Sequence, residues 1–195
     1  MTKAYFNEQA QIWDEKVAEK DVSKLEKLSG YLTIEPGATI LDVGTGTGVF
    51  IPYLMQKIGT DGKIIALDHA EKMLLKAKSK SFTGNIDYIC ADVMIIPLKD
   101  EVCDAVVCYS SLPHFPDKLQ ALLEIKRVLK TGAPLFICHS SSREHINSIH
   151  RRIPIVRNDL LPDAIEMTIL LQNSGFTGIR VEDTADSYLA YGKKG

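Results

Sequence analysis

Short apolar runs alternate with stretches of helical period along most of this chain. Ile40, Leu41 and Val43 form a first run of β-formers, and Lys63–Asp68, Asn85–Cys90, Cys103–Cys108 and Pro134–His139 repeat the pattern. Between them, apolar residues recur at helical spacing. A helix is predicted from near Gly48 to about Ile58, with Pro52 in its first turn, another over 70–80, and one over 116–129. In the last, Leu119, Leu122, Leu123, Ile125, Val128 and Leu129 are expected to face inward. Ahead of these, Phe6, Ala10 and Trp13, then Val22, Leu25 and Leu28, predict one or two helices over residues 3–29, closed by Gly30. Beyond strand five, Ser141 and Glu144 have capping-box spacing, so a helix is expected from near Ser142 with Ile146, Ile149 and Ile153 on one face. Pro162 opens a last helix that Gly175 ends, and two strands follow, Phe176–Val181 and Ser187–Tyr191. Strands alternating with helices predict an α/β fold.

The stretch TILDVGTGTGVF, residues 39–50, carries the chemistry. A buried strand, a glycine turn and a helix start make a ligand-binding corner at the carboxyl end of a strand in an open α/β sheet. Glycines there let backbone approach a ligand where a Cβ would collide. The dinucleotide fingerprint GxGxxG fails, because Val49 stands at its third glycine, and no Gly-Lys-Ser/Thr follows for a phosphate loop. Asp42 opens the turn: a carboxylate repels phosphate but favours an ammonium or sulfonium. The corner therefore suits a nucleoside with a cationic tail. Asp68 ends the second strand, where it could accept both hydroxyls of a ribose or cap the helix that follows.

Asp42-Val43-Gly44-Thr45-Gly46-Thr47-Gly48 resembles the D/E-x-G-x-G-x-G motif of class I S-adenosylmethionine (SAM)-dependent methyltransferases. The resemblance covers essentially the whole chain. Phe6-Asn7-x-x-Ala10-x-x-Trp13-Asp14 resembles the leading segment of ubiquinone/menaquinone-biosynthesis-type enzymes, EIKRVLKTGAPLFI resembles their E-x-x-R-V-L-K-P-G-G-x-L, and Leu112, His114 and Asp117 match a loop segment L-H-H-x-x-D. It implies a Rossmann-like, doubly wound sheet of seven strands in the order 3-2-1-4-5-7-6 with the last strand antiparallel. One domain would span 1–195, with a helical lid over 1–30 and an acceptor-side insertion over 139–160. It further implies SAM as methyl donor and S-adenosylhomocysteine as product. Asp42, Gly44, Thr45 and Gly46 would hold the methionine part, Asp68 and His69 the ribose side, Met73, Asp92 and Val93 the adenine. Tyr109 and Trp13 are added as cofactor contacts, Trp13 from the lid. Asp92 could instead be a loop cap.

Methyl transfer from a sulfonium is an in-line displacement, so a protein must align the reactants and exclude water; a base is needed only for a protonated acceptor. His114 and His139 are the candidate bases, and His114 could instead be a substrate contact or a structural histidine bonded to backbone. The stretch HSSSREHINSIHRRI, residues 139–153, offers Arg143, Arg151 and Arg152 to an acidic substrate or to solvent. Asn/Asp-Pro-Pro-Tyr/Phe is missing after strand four, which disfavours methylation of an adenine or glutamine amide.

Composition narrows the partners. A chain of 195 residues with net charge −2 suits one domain without a broad basic surface, so a small-molecule acceptor is expected rather than nucleic acid or a membrane. A homodimer is compatible with this. The start of the chain has no apolar signal core, which predicts a cytoplasmic protein. Four cysteines lack CxxC spacing and suit reduced thiols, with no metal expected. Rival readings are a thiol or metalloid methyltransferase using Cys108 and Cys138, a SAM-binding module without turnover, and a nicotinamide dehydrogenase.

Overall fold

The computed structural model describes residues 2–16 and 21–195. Its centre is a sheet of seven strands: β1 (Thr39–Val43), β2 (Lys63–Asp68), β3 (Asn85–Cys90), β4 (Ala105–Tyr109), β5 (Pro134–His139), β6 (Phe176–Asp183) and β7 (Tyr188–Lys194). The order is β3-β2-β1-β4-β5-β7-β6, as expected. β1 pairs in parallel with β2 and β4, β2 with β3, and β4 with β5, whereas β7 runs antiparallel to β5 and β6. The central strands are buried along almost their whole length because helices cover both sides, the usual state of a parallel sheet.

Residue parity assigns each strand position to one of two cores. Leu41, Val43, Val106, Cys108, Leu135 and Ile137 pack on one side; Ile40, Ala105, Val107, Phe136 and Cys138 pack on the other. Helices α3 (Val22–Gly30) and α4 (Ile51–Ile58) contribute Leu25, Leu28, Ile51, Leu54 and Ile58 to the second core. Helices α6 (Lys118–Val128) and α8 (Ala164–Asn173) contribute Leu122, Ile125, Met167 and Leu171 to the first. Helix α5 (Glu71–Ser79) packs on β2 and β3, and α7 (Arg143–Arg152) follows β5.

Several boundaries depart from the sequence reading for local reasons. The N-terminal segment breaks at a turn over residues 10–12 into α1 (Thr2–Gln9) and α2 (Trp13–Lys16); the predicted continuation through 17–20 lies outside the described residues. α4 begins at Ile51, three residues after the glycine turn, with Pro52 at its start. Strand four begins at Ala105, and Cys103 forms only an isolated bridge to Leu129. In α6 the buried stripe is Ala121, Leu122, Ile125 and Val128, so Leu119 and Leu123 rotate outward and are exposed. Ser142, not Ser141, caps α7 by accepting from the His145 amide, and of its isoleucines Ile146 is buried while Ile149 is exposed. α8 has a full capping box between Asp163 and Glu166, which puts Pro162 just before the cap. No helix among the described residues is long and apolar enough to cross a membrane.

Candidate active site

The order reverses between β1 and β4, both of which start from the middle of the sheet, and a crevice at their carboxyl ends is where such folds take ligands. The glycine turn is built there. Gly44 and Thr45 donate their amides to Leu67 O at 2.7 and 3.0 Å, which ties the turn to β2. Gly44 has φ 71°, and a Cβ on it would come within 2.4 Å of Ser111 Cβ. That close approach brings the segment after β4 over β1, where the Ser111 hydroxyl donates to Val43 O at 2.7 Å. Gly46, φ 55°, differs: a Cβ there would meet nothing nearer than Gly44 O at 4.0 Å, so its outer side is open.

Asp68 joins the turn to the second strand. Its Oδ2 accepts from the Gly46 amide and its Oδ1 from the Ala70 amide, both at 2.8 Å. Burial raises its pKa, and the two amides offset that in part. Each oxygen keeps a lone pair for a hydroxyl, and the residue is 8% exposed, so it fits a ribose diol. The open side of Gly46 and the hydroxyl-accepting Asp68 together suit the nucleoside expected from the sequence.

Asp42 lies below the turn, 1% exposed, where its Oδ2 accepts the Thr45 hydroxyl. Burial pushes its carboxyl up to about 7. Asp92 is exposed beyond β3 and accepts from the Met94 amide at 2.9 Å through one oxygen, while Val93 beside it is buried. Half-buried His69 has Nδ1 4.0 Å from Asp68 Oδ1. Tyr109 turns to the α4 side, stacks on Phe50 at 4.6 Å and shares a 2.9 Å hydrogen bond with Ser140.

The segment 2–16 lies over this corner. Phe6, Ala10, Ala70 and Met73 form a small apolar cluster, with Tyr5 and Trp13 packed against it. Phe6 rather than Trp13 is the central ring: it meets Trp13 and Tyr5 at 5.4 Å, His69 at 6.4 Å and His114 at 5.0 Å, each edge to face. Polar bonds hold the segment down. Asp14 Oδ1 accepts the Thr47 hydroxyl at 2.6 Å, Asp14 pairs with Lys80 at 2.9 Å, and Asn7 Oδ1 accepts the Lys72 amide.

On the other side of Phe6 is a histidine cluster. His114 Nδ1 donates to Asp159 Oδ2 at 2.9 Å, so the tautomer this bond selects carries its lone pair on Nε2. His150 Nδ1 donates to the backbone carbonyl of Asp159, and the two rings are 4.8 Å apart. Asp159 has no signal in the sequence: it lies in an aperiodic loop and meets His114 only through the fold. His139 is 1% exposed, neither ring nitrogen has a hydrogen-bond partner among the described residues, and burial pushes its pKa down to about 3. A conjugate acid that strong disfavours proton abstraction by His139 near neutral pH.

The pair Cys108 and Cys138 also fails geometrically. The two project to opposite faces of the sheet, Cys108 among the α6–α8 core and Cys138 among the α3–α4 core. Burial raises the Cys108 thiol far above its ordinary value, so a thiolate there is disfavoured. Among the described residues no cluster of three or more metal-ligating side chains forms.

Comparison with known proteins agrees with this geometry. Residues 41–137 match the family model described as Methyltransferase domain. The chain is 35% identical over 138 residues to a demethylmenaquinone methyltransferase of Lactococcus lactis, covering 69% of this chain and 50% of that protein. It is 31% identical over 123 residues to a ubiquinone/menaquinone biosynthesis C-methyltransferase of Teredinibacter turnerae, covering 61% and 48%. The chain thus spans about half the length of these curated relatives. A SAM-dependent methyltransferase structure from Aquifex aeolicus superposes with a TM-score of 0.70 at 28% identity, covering 89% of this chain and 93% of that one. With the strand order, the glycine turn bonded to Asp68 and these similarities in agreement, the chain belongs to the class I SAM-dependent methyltransferases.

Proposed function

We propose that this protein transfers a methyl group from SAM to a small-molecule acceptor, with His114 as the base when the acceptor arrives protonated. The observation that carries the reading is the Asp68 carboxylate bonded to Gly46, which places a hydroxyl acceptor beside an open glycine turn. Bound SAM supplies a methyl group already activated by its sulfonium. Asp68 holds the ribose, the Gly44–Gly48 turn the methionine part, and Asp92 with Val93 the adenine side. Asp42 supports the turn from below through Thr45, and the closed segment 2–16 excludes water.

Asp159 fixes His114 in the tautomer whose Nε2 can take a proton, and Phe6 packs on that ring from the cofactor side. Donor and acceptor halves therefore meet at one aromatic contact. The setting we propose is cytoplasmic, with a diffusible acceptor; a net charge of −2 gives no general attraction for nucleic acid. Demethylated quinols are the first acceptors to test, because one relative described above is named a demethylmenaquinone methyltransferase and the other a ubiquinone/menaquinone biosynthesis C-methyltransferase. Methyl-labelled SAM incubated with the protein and those quinols, then with a metabolite extract, tests the reading. Label appearing in a small molecule, with S-adenosylhomocysteine formed in equal amount, supports it. SAM binding without any transfer makes the protein a binding module instead.

A further inference from the structure

Beneath α7 lie two buried polar groups that the steps above do not use. His139 ends β5, and its register partner across the antiparallel pair is Tyr188, the first residue of β7. The rings meet edge to face at 6.1 Å. His139 is 1% exposed and Tyr188 is 0% exposed. Neither nitrogen of His139 nor the hydroxyl of Tyr188 has a hydrogen-bond partner among the described residues. Buried polar atoms are nearly always paired, and two adjacent exceptions call for a cause.

Both groups sit on the face of the sheet that carries the larger core. Tyr188 belongs to the same apolar cluster as Ile146, Leu161 and Met167, and Leu135 and Ile137 share the parity of His139 along β5. The roof is α7 and the segment after it. Asn147 sutures that segment by donating to Leu161 O and accepting from its amide, and Asp159 sutures it again to His114 and His150. The charges that reach Tyr188 are engaged elsewhere: Arg143 pairs with Asp183 at 2.8 Å, and Asp163 and Glu166 close the capping box of α8.

We infer that His139 and Tyr188 form a polar subsite under α7 that takes one uncharged oxygen, a hydroxyl or carbonyl, of an otherwise apolar methyl acceptor. This rests on the methyltransferase reading above. A neutral imidazole offers one donor and one acceptor, and a phenol offers both, so together they satisfy a hydroxyl or carbonyl without supplying charge. Burial keeps His139 neutral and Tyr188 protonated, so neither provides a counter-ion for a carboxylate or phosphate. An anionic acceptor would be buried without compensation. His139 is then a specificity residue, with His114 above it left to handle the proton.

Phenol is the smallest probe with the required chemistry. Calorimetry on the full chain saturated with S-adenosylhomocysteine should show phenol binding, and no binding of toluene or benzoate at the same concentration. Tyr188→Phe and His139→Phe should each weaken phenol by about tenfold, the loss of one hydrogen bond, with S-adenosylhomocysteine affinity unchanged. Tyr188→Phe should also melt no lower than the parent without ligand, since it removes an unpaired hydroxyl. Phenol bound equally by parent and Tyr188→Phe, or toluene bound as well as phenol, overturns the subsite. So does a lowered melting temperature of Tyr188→Phe together with no phenol binding, which marks a purely structural water. Failure of the parent to bind S-adenosylhomocysteine would instead sink the methyltransferase reading.

Discussion

Asp14 and Thr47 are joined by a 2.6 Å hydrogen bond between α2 and the glycine turn, and Lys80 at the end of α5 completes the contact from the other side. The N-terminal segment is therefore latched to the very turn proposed to hold the methionine part of the donor. Asp14→Ala should raise the dissociation constant of S-adenosylhomocysteine by about tenfold, the worth of one or two partly buried polar bonds. Stopped-flow should place the change in the off-rate. Thermal stability should move little, since the main cores do not include this segment. An unchanged off-rate would mean that the latch does not retain the nucleoside.

Asp68 should matter more. Removing it leaves the Gly46 and Ala70 amides without an acceptor and the ribose without its carboxylate. Asp68→Ala should cost about 1.5–3 kcal/mol in cofactor binding, the range for hydrogen bonds to a charged group. Calorimetry with S-adenosylhomocysteine checks this, and equal affinity in the variant would remove Asp68 from the site.

Asp42 predicts a pH dependence of folding. Its carboxyl, ordinarily near 3.8, is raised to about 7 by burial. Between those values the native chain keeps a proton that the unfolded chain releases. Its contribution to stability is full below the unfolded value and is lost as pH rises through about 7. Asp42→Asn should remove up to one proton's worth of this slope, about 1.4 kcal/mol per pH unit. Urea midpoints of the ligand-free protein from pH 4 to 8 give the comparison.

His114 and Asp159 should act together. Once an acceptor is in hand, His114→Ala should lower turnover by about 10²–10⁴-fold if the acceptor must lose a proton. Asp159→Asn should lower it less and displace the pH–rate profile, with cofactor affinity unchanged, since the amide no longer fixes the tautomer. A profile identical to the parent's would assign Asp159 to holding the segment alone.

Arg127 explains part of the EIKRVL run. Its guanidinium bonds Glu124, Asp100, Leu98 O and Ile96 O, while Glu124 accepts the Ile96 amide. One side chain thus pins the segment that follows Asp92 to α6. Arg127→Lys cannot reproduce this planar fork and should destabilise the protein by about 1–3 kcal/mol, read from urea unfolding, while loosening hydrogen exchange at residues 94–98.

The sheet and its cofactor corner were readable in advance because both are written locally. Ile40, Leu41 and Val43 state a buried strand, and the glycines after them state the turn. Asp68 stands where the strand ends, so its place followed from the period. The half proposed for the acceptor was not readable in the same way. Asp159, His114, His139 and Tyr188 lie far apart in sequence and meet only after α7 folds back over β5. Leu119 and Leu123 were assigned inward because leucines crowd both sides of α6, and only packing chooses among them. Asp42 shows a subtler gap. Its position at the turn was plain, but whether its carboxylate pointed up at a ligand or down into the core depended on Thr45 reaching back to it.

Strand order has a consequence for how such a chain could change. The residues proposed to grip the donor fall between Asp42 and Val93, whereas those proposed for the acceptor come after β4, several of them beyond the stretch that matches the family model. Selection could thus rewrite what is methylated by replacing α7 and the segment behind it, with the donor grip left untouched. Transplanting residues 139–163 between relatives is accordingly the economical route to altered substrate choice.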